Sequence, residues 1–185
     1  MGFFSKLLLK IMGWDPNPHG AFPIKPRKCV IIVAPHTSNW DFVIAVLYRS
    51  ALGLEKARYL GKKELFTPWF GWFFRWLGGT PVDRHASHNV VEQVVEIFNR
   101  HQDFILALSP EGTRKKVERL RTGFYQIALQ ANVPIVMAAL DFANKKVTFS
   151  EPFKPTGNLE EDFKYIIDFF RPVKGKYPEQ GLMHL

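Results

Sequence analysis

Disulfides are the first thing this chain lacks. Its one cysteine, Cys29, stands inside an apolar run, so no intrachain bridge can form, and the thiol reads as a small buried hydrophobe. That usage fits a reducing compartment. No apolar stretch reaches the roughly 20 residues needed to cross a bilayer, and Trp72 to Leu77 is broken by Arg75. Leu7-Leu8-Leu9 is short and has no small-residue cleavage site after it, so no secretory signal is read. Internal repeats and low-complexity segments are missing too. Acidic side chains are scarce, 17 against 25 Lys and Arg, which leaves a formal charge of +8. Such a balance suits an anionic partner: phosphate, a phospholipid surface, an acidic carrier or nucleic acid.

Aromatic side chains are plentiful instead. With 17 Phe and five Trp in 185 residues, the load exceeds what one domain's core needs, and some rings are expected to face lipid or an acyl chain. Several cluster in the apolar block Trp69 to Trp76 and do not interleave with Lys and Arg, so no nucleic acid is expected as a partner. Phe73 and Leu77 of that block are expected in the core. Phe3, Phe4, Leu7, Leu8, Ile11 and Met12 form one helical stripe with Lys6 and Lys10 opposite. Such a helix suits an anionic membrane surface, lysines toward the headgroups; packing on the domain is the other reading. Four prolines make Asp15 to Pro26 an extended loop. Residues 1–27 are therefore read as an amphipathic helix and Pro-rich loop, and 28–185 as one domain.

Within that domain strand and helix patterns alternate. Strands are predicted at Lys28–Val33, Ala57–Leu60, Asp103–Leu108 and Val133–Leu140, with an edge strand at Lys146–Phe149. Helices are predicted at Trp40–Leu52, Pro68–Leu77, Val90–Phe98 after a Ser87 or Asn89 cap, Leu120–Ala131 and Leu159–Phe170. The alternation predicts an α/β class: a single layered domain whose mostly parallel or mixed central sheet is flanked by helices.

Two strand ends carry chemistry. Cys29–Val33 runs into Ala34-Pro35-His36-Thr37-Ser38-Asn39-Trp40-Asp41, and of six histidines only His36 has an aspartate five positions on. On a regular helix those two side chains would stand well over a right angle apart. Their pairing therefore needs His36 in the loop, Ser38 or Asn39 as the cap, and Asp41 in the first turn. An imidazole so oriented takes a proton from a hydroxyl. The helix dipole alone would also favour an aspartate there. The second strand end is Ser109-Pro110-Glu111-Gly112-Thr113-Arg114, where Gly allows close backbone approach and Arg offers a planar fork for phosphate. Lys115, Lys116, Arg119 and Arg121 follow; for the first three a solvated face explains as much as binding does. His85 and His88 have the spacing of metal ligands but no third partner, so no metal is expected.

Four blocks in order now carry a resemblance. They are His36 to Asp41, Gly61-Lys62-Lys63-Glu64-Leu65 through Pro81-Val82-Asp83-Arg84, Pro110 to Arg114, and Val133-Pro134-Ile135-Val136. Together they resemble the glycerolipid acyltransferase family, the 1-acylglycerol-3-phosphate acyltransferases, over roughly residues 30 to 140. Pro35, Ser109 and Met137 depart from the commonest family residues. The resemblance implies transfer of a fatty acyl group from acyl-CoA or acyl carrier protein to a lysophospholipid hydroxyl, with no further cofactor. It implies His36 as general base, Asp41 as its orienting carboxylate, and Arg84, Glu111, Gly112, Thr113 and Arg114 as acceptor-binding residues. A backbone N–H at the helix start is one candidate oxyanion donor. The expected location is cytoplasmic and peripheral, on an anionic membrane surface reached through the N-terminal helix. A non-catalytic lipid-binding module is the alternative.

Overall fold

Apolar residues on both faces of one central strand decide the layering. The computed structural model describes residues 2–23, 26–69, 71–82 and 90–185. In chain order the elements are α1 (Gly2–Ile11), β1 (His19–Gly20), β2 (Lys28–Ala34), α2 (Asn39–Ala51), β3 (Ala57–Lys62) and a 3-10 turn at Lys63–Phe66. Next come α3 (Gly71–Trp76), β4 (Gly79–Val82), α4 (Val90–Arg100), β5 (Phe104–Leu108), α5 (Gly123–Gln130), β6 (Ile135–Asp141), β7 (Lys146–Phe149) and α6 (Leu159–Phe170). Among the described residues the strands form one seven-stranded sheet in the order β1-β7-β6-β2-β5-β3-β4. The run from β6 to β4 is parallel, β7 is antiparallel to β6, and the sheet is therefore mixed.

Val30, Ile32 and Ala34 of β2 pack on one side with Phe98 of α4, Phe124 and Ile127 of α5, and Ile166 and Phe170 of α6. Cys29 and Ile31 face the other side, against Leu9 of α1 and Ile44 and Tyr48 of α2. A parallel strand covered on both faces reads as an unbroken apolar run, which is what 29–33 shows. Burial at about 1.5–3 kcal/mol per large apolar side chain holds this strand firmly, so a loop leaving its end starts from a fixed point. The same burial pushes the Cys29 thiol up to about 12. It is a packing residue.

Four expectations are corrected. The edge position belongs to β1, because His19 and Gly20 pair with Thr148 and Phe149 of β7. Gly20 (φ +74°) is needed there, since a Cβ would stand 2.2 Å from the Phe149 carbonyl oxygen. The helix expected over Pro68–Leu77 shrinks to six residues, because the 3-10 turn at Lys63–Phe66 folds back and brings Phe66 against Phe74. So short a helix has one inner face, and Phe66 and Phe74 line it. Phe73, expected in the core, is exposed with Trp69, Trp72 and Trp76. Leu120 is buried as expected, but the helix begins only at Gly123. Ser87 and Asn89, the expected caps of α4, lie outside the described residues.

In α1, Leu9 is buried and Met12 packs beside it, while Phe3, Phe4, Leu7 and Ile11 stay exposed next to Lys6 and Lys10. No helix among the described residues is long and apolar enough to cross a membrane. For the site, one register matters most. β2 and β5 are parallel neighbours with Ile32 opposite Leu108, so their following loops leave side by side at one sheet edge.

Candidate active site

The loop after β2 is ordered by one carboxylate. Ser38 caps α2 in extended conformation (φ −152°, ψ 159°), its hydroxyl accepts the Trp40 N–H at 3.0 Å, and Asp41 falls at the third helical position. His36 stays in the loop, the geometry its spacing to Asp41 requires. Asp41 Oδ2 accepts three hydrogen bonds, from the Thr37 N–H at 2.7 Å, the Ser38 N–H at 2.8 Å and His36 Nδ1 at 3.0 Å. The Asp41 side chain is 3% exposed and that of His36 29%. A buried carboxylate thus fixes the imidazole with Nδ1 as donor and leaves Nε2 as the acceptor. The amides of His36, Thr37, Ser38 and Trp40 are all engaged in this ordering, so those four are not free for an oxyanion.

Glu111 ties the second loop to the first. Its Oε1 accepts the His36 N–H at 2.7 Å, and its residue is 1% exposed. Burial pushes the carboxyl up to about 7; the His36 N–H pulls the other way, and the nearby Asp41 charge adds to the rise. A folded value above the ordinary 4.5 means stability is fully present below about 4.5 and lost as pH rises through 7. Glu111→Gln keeps an acceptor for the His36 amide and removes the charge. Its stability should equal wild type at pH 4 and exceed it at pH 8 by on the order of 3 kcal/mol in urea titrations. A wild-type advantage at pH 8 would mean that the buried charge is compensated.

Both loops open on a cleft of about 1170 Å³. Val33, Phe42, Val46, Leu60, Leu77 and Ile127 give it apolar walls, and His36, Asp41, Glu111, Gly112, Thr113, Arg119 and Arg121 its polar end. The volume and lining suit a ligand with a long apolar part and an anionic head. Gly112 has φ +67°, and a Cβ on it would stand 2.4 Å from Arg121 Nε, so the arginine lies flat across a glycine. Arg114 is placed differently from the sequence expectation. Its guanidinium donates to Asn39 Oδ1, and it is not among the residues lining the cleft. Arg84 lies outside the described residues, as do His85 and His88. Arg119 and Arg121 belong to a run of five cations in eight residues, and such a run does not say which of them turn inward.

With that geometry in place, comparison with known proteins is decisive on the family. A family model described as Acyltransferase matches residues 16–141, more than half of the chain and inclusive of both loops. The chain belongs to the acyltransferase family. The 1-acyl-sn-glycerol-3-phosphate acyltransferase of Streptococcus pneumoniae is 32% identical over 145 residues, 77% of this chain and 49% of that one. The protein of the same name from Salmonella typhimurium is 29% identical over 127 residues, 65% and 50% of the two chains. The chain spans about half the length of these curated relatives. The crystal structure of the 1-acyl-sn-glycerophosphate (LPA) acyltransferase PlsC from Thermotoga maritima superposes with a TM-score of 0.61 at 20% identity, over 91% of this chain and 74% of that one. It shares the fold of this chain, the mixed sheet with helices on both faces.

Proposed function

We propose that this acyltransferase moves a fatty acyl group from a thioester, acyl-CoA or acyl carrier protein, to the free hydroxyl of a lysophospholipid such as 1-acylglycerol-3-phosphate. The observation that carries the reading is the bond of His36 Nδ1 to the buried Asp41 Oδ2 at the polar end of a large apolar cleft. Nε2 takes the acceptor's hydroxyl proton as its oxygen attacks the thioester carbonyl. The tetrahedral intermediate collapses, the C–S bond breaks, and the imidazolium returns that proton to the leaving thiolate. Asp41 balances the imidazolium charge in between. Transfer is direct, because Ser38 is engaged as a helix cap and Ser109 accepts the Glu111 N–H. Arg119 and Arg121, which line the cleft, supply positive charge for the acceptor phosphate, and the family resemblance adds Arg84.

Exposed Phe3, Phe4, Leu7 and Ile11 on α1, and Trp69, Trp72 and Trp76 at α3, favour docking on an anionic membrane from which the acceptor is drawn. The same faces support the second reading, a non-catalytic lipid-binding module. One experiment separates the two. Purified protein is incubated with anionic vesicles holding lysophosphatidate, and with labelled acyl-CoA or acyl carrier protein. Labelled phosphatidate is the expected product; vesicle binding without transfer from either donor would reject the enzymatic reading in favour of the module.

A further inference from the structure

The chain after α6 lies beyond the residues matched by the family model, yet it crosses the back of the catalytic loop. Val173 and Leu182 are buried in the same core as Ile32 of β2 and fix the segment at both ends. Between them Gly175 lies against Thr37. A Cβ at 175 would stand 2.8 Å from Thr37 Oγ1, 2.9 Å from its Cγ2 and 3.3 Å from Pro35 Cβ. The Tyr177 N–H donates to Thr37 Oγ1 at 3.2 Å, and the Lys176 ammonium sits 5.0 Å from the centre of the Trp40 ring. Farther on, His184 Nε2 bonds the carbonyl oxygen of Val117, a cleft residue between Glu111 and Arg121. One segment therefore touches both strand-end loops.

We propose that residues 171–184 are a strap that sets the position of the His36–Asp41 pair, with Thr37 as its grip. Thr37 is suited to that role because it is buried and faces two ways. Its amide donates to Asp41 Oδ2, and its hydroxyl accepts from the strap. Displacing the strap displaces the amide that orders the carboxylate, and with it the imidazole. Apart from the strap, the two strand ends are joined directly by the His36 N–H to Glu111 and by the Arg114 guanidinium to Asn39 at the start of α2. Thr37 and Gly175 act through the pair and are positioning residues. The inference rests on the acyl transfer proposed above only for its kinetic arm.

Gly175→Ala tests it. We expect kcat to fall roughly 10–100-fold, with KM for donor and acceptor held within about twofold, since small misplacements of a reacting group cost rate more than binding. Thr37→Ala should show a similar loss, and Thr37→Ser, which keeps the acceptor oxygen, should remain near wild type. The double variant Gly175→Ala, Thr37→Ala should be no slower than Thr37→Ala alone, because the atoms that the new methyl would strike are gone. Amide exchange at Thr37 and Ser38 should quicken in Gly175→Ala while that of β2 and β6 stays unchanged. Unchanged exchange at those two amides, or additive losses in the double variant, would overturn the strap. Should the wild type transfer no acyl group, the proposed reaction falls and the exchange measurement still decides the strap.

Discussion

His36→Ala is expected to lower kcat by about 10²–10⁴, the usual contribution of a positioned general base. KM should change little, because the ring acts on a proton that moves only in the transition state. The fold should survive the change. The side chain is 29% exposed, and with it gone Asp41 Oδ2 still accepts the Thr37 and Ser38 amides, so the helix cap persists. Added imidazole is expected to restore part of the rate, since the deletion opens space in a cleft already about 1170 Å³ in volume. Transfer at the wild-type rate by His36→Ala would remove the imidazole from the mechanism, whatever else the cleft does.

Asp41 carries two jobs that substitution separates. Asp41→Ala takes the partner from three donors at once, two of them amides in a buried loop. Each buried unpaired donor costs about 1–3 kcal/mol, and a lost cap about 1 kcal/mol, so a stability loss on the order of 3 kcal/mol should accompany a rate loss as deep as that of His36→Ala. Asp41→Asn behaves otherwise. Its amide oxygen takes the place of Oδ2, and its nitrogen the place of Oδ1, which has no partner among the described residues. Cap and ring orientation then persist, the stability cost is small, and kcat falls by about 10²-fold because nothing balances the imidazolium. In His36→Ala the further change Asp41→Asn should cost almost no additional rate, as expected of groups acting as a unit. Melting curves and kcat for the three variants check this. An Asp41→Asn protein with full activity would reduce the carboxylate to a helix cap.

The sheet's centre was legible in the chain because both faces of β2 are covered, and a strand buried on two sides has no choice but to be apolar. β5 announced itself as an apolar run too, as did the polar loop at the end of each strand, while their parallel pairing came from the sheet order. Local geometry at α2 was equally readable. Ser38, then Asp41 three positions on, is a capping pattern whose meaning does not depend on the rest of the molecule.

Other features depended on distant segments. Phe73 lies in a block as apolar as any core strand, but its burial turned on where Phe66 and Phe74 packed. β7 lost its edge position to two residues of a proline-rich loop, a pairing that two residues are too short to signal. Of the cations after Glu111, Arg121 faces the cleft and Arg114 turns to Asn39, a sorting made by loop conformation and a glycine across the way. The resemblance makes Glu111 an acceptor-binding residue, and only the tertiary structure shows its buried carboxyl holding the amide of His36. Short-range signals, hydrophobic period and helix capping, were thus written in the sequence, since each is settled within a few residues. Which surface a loop residue presents arose only when segments 75 positions apart packed together, and the hold of residues 171–184 on Thr37 only when segments 140 apart did.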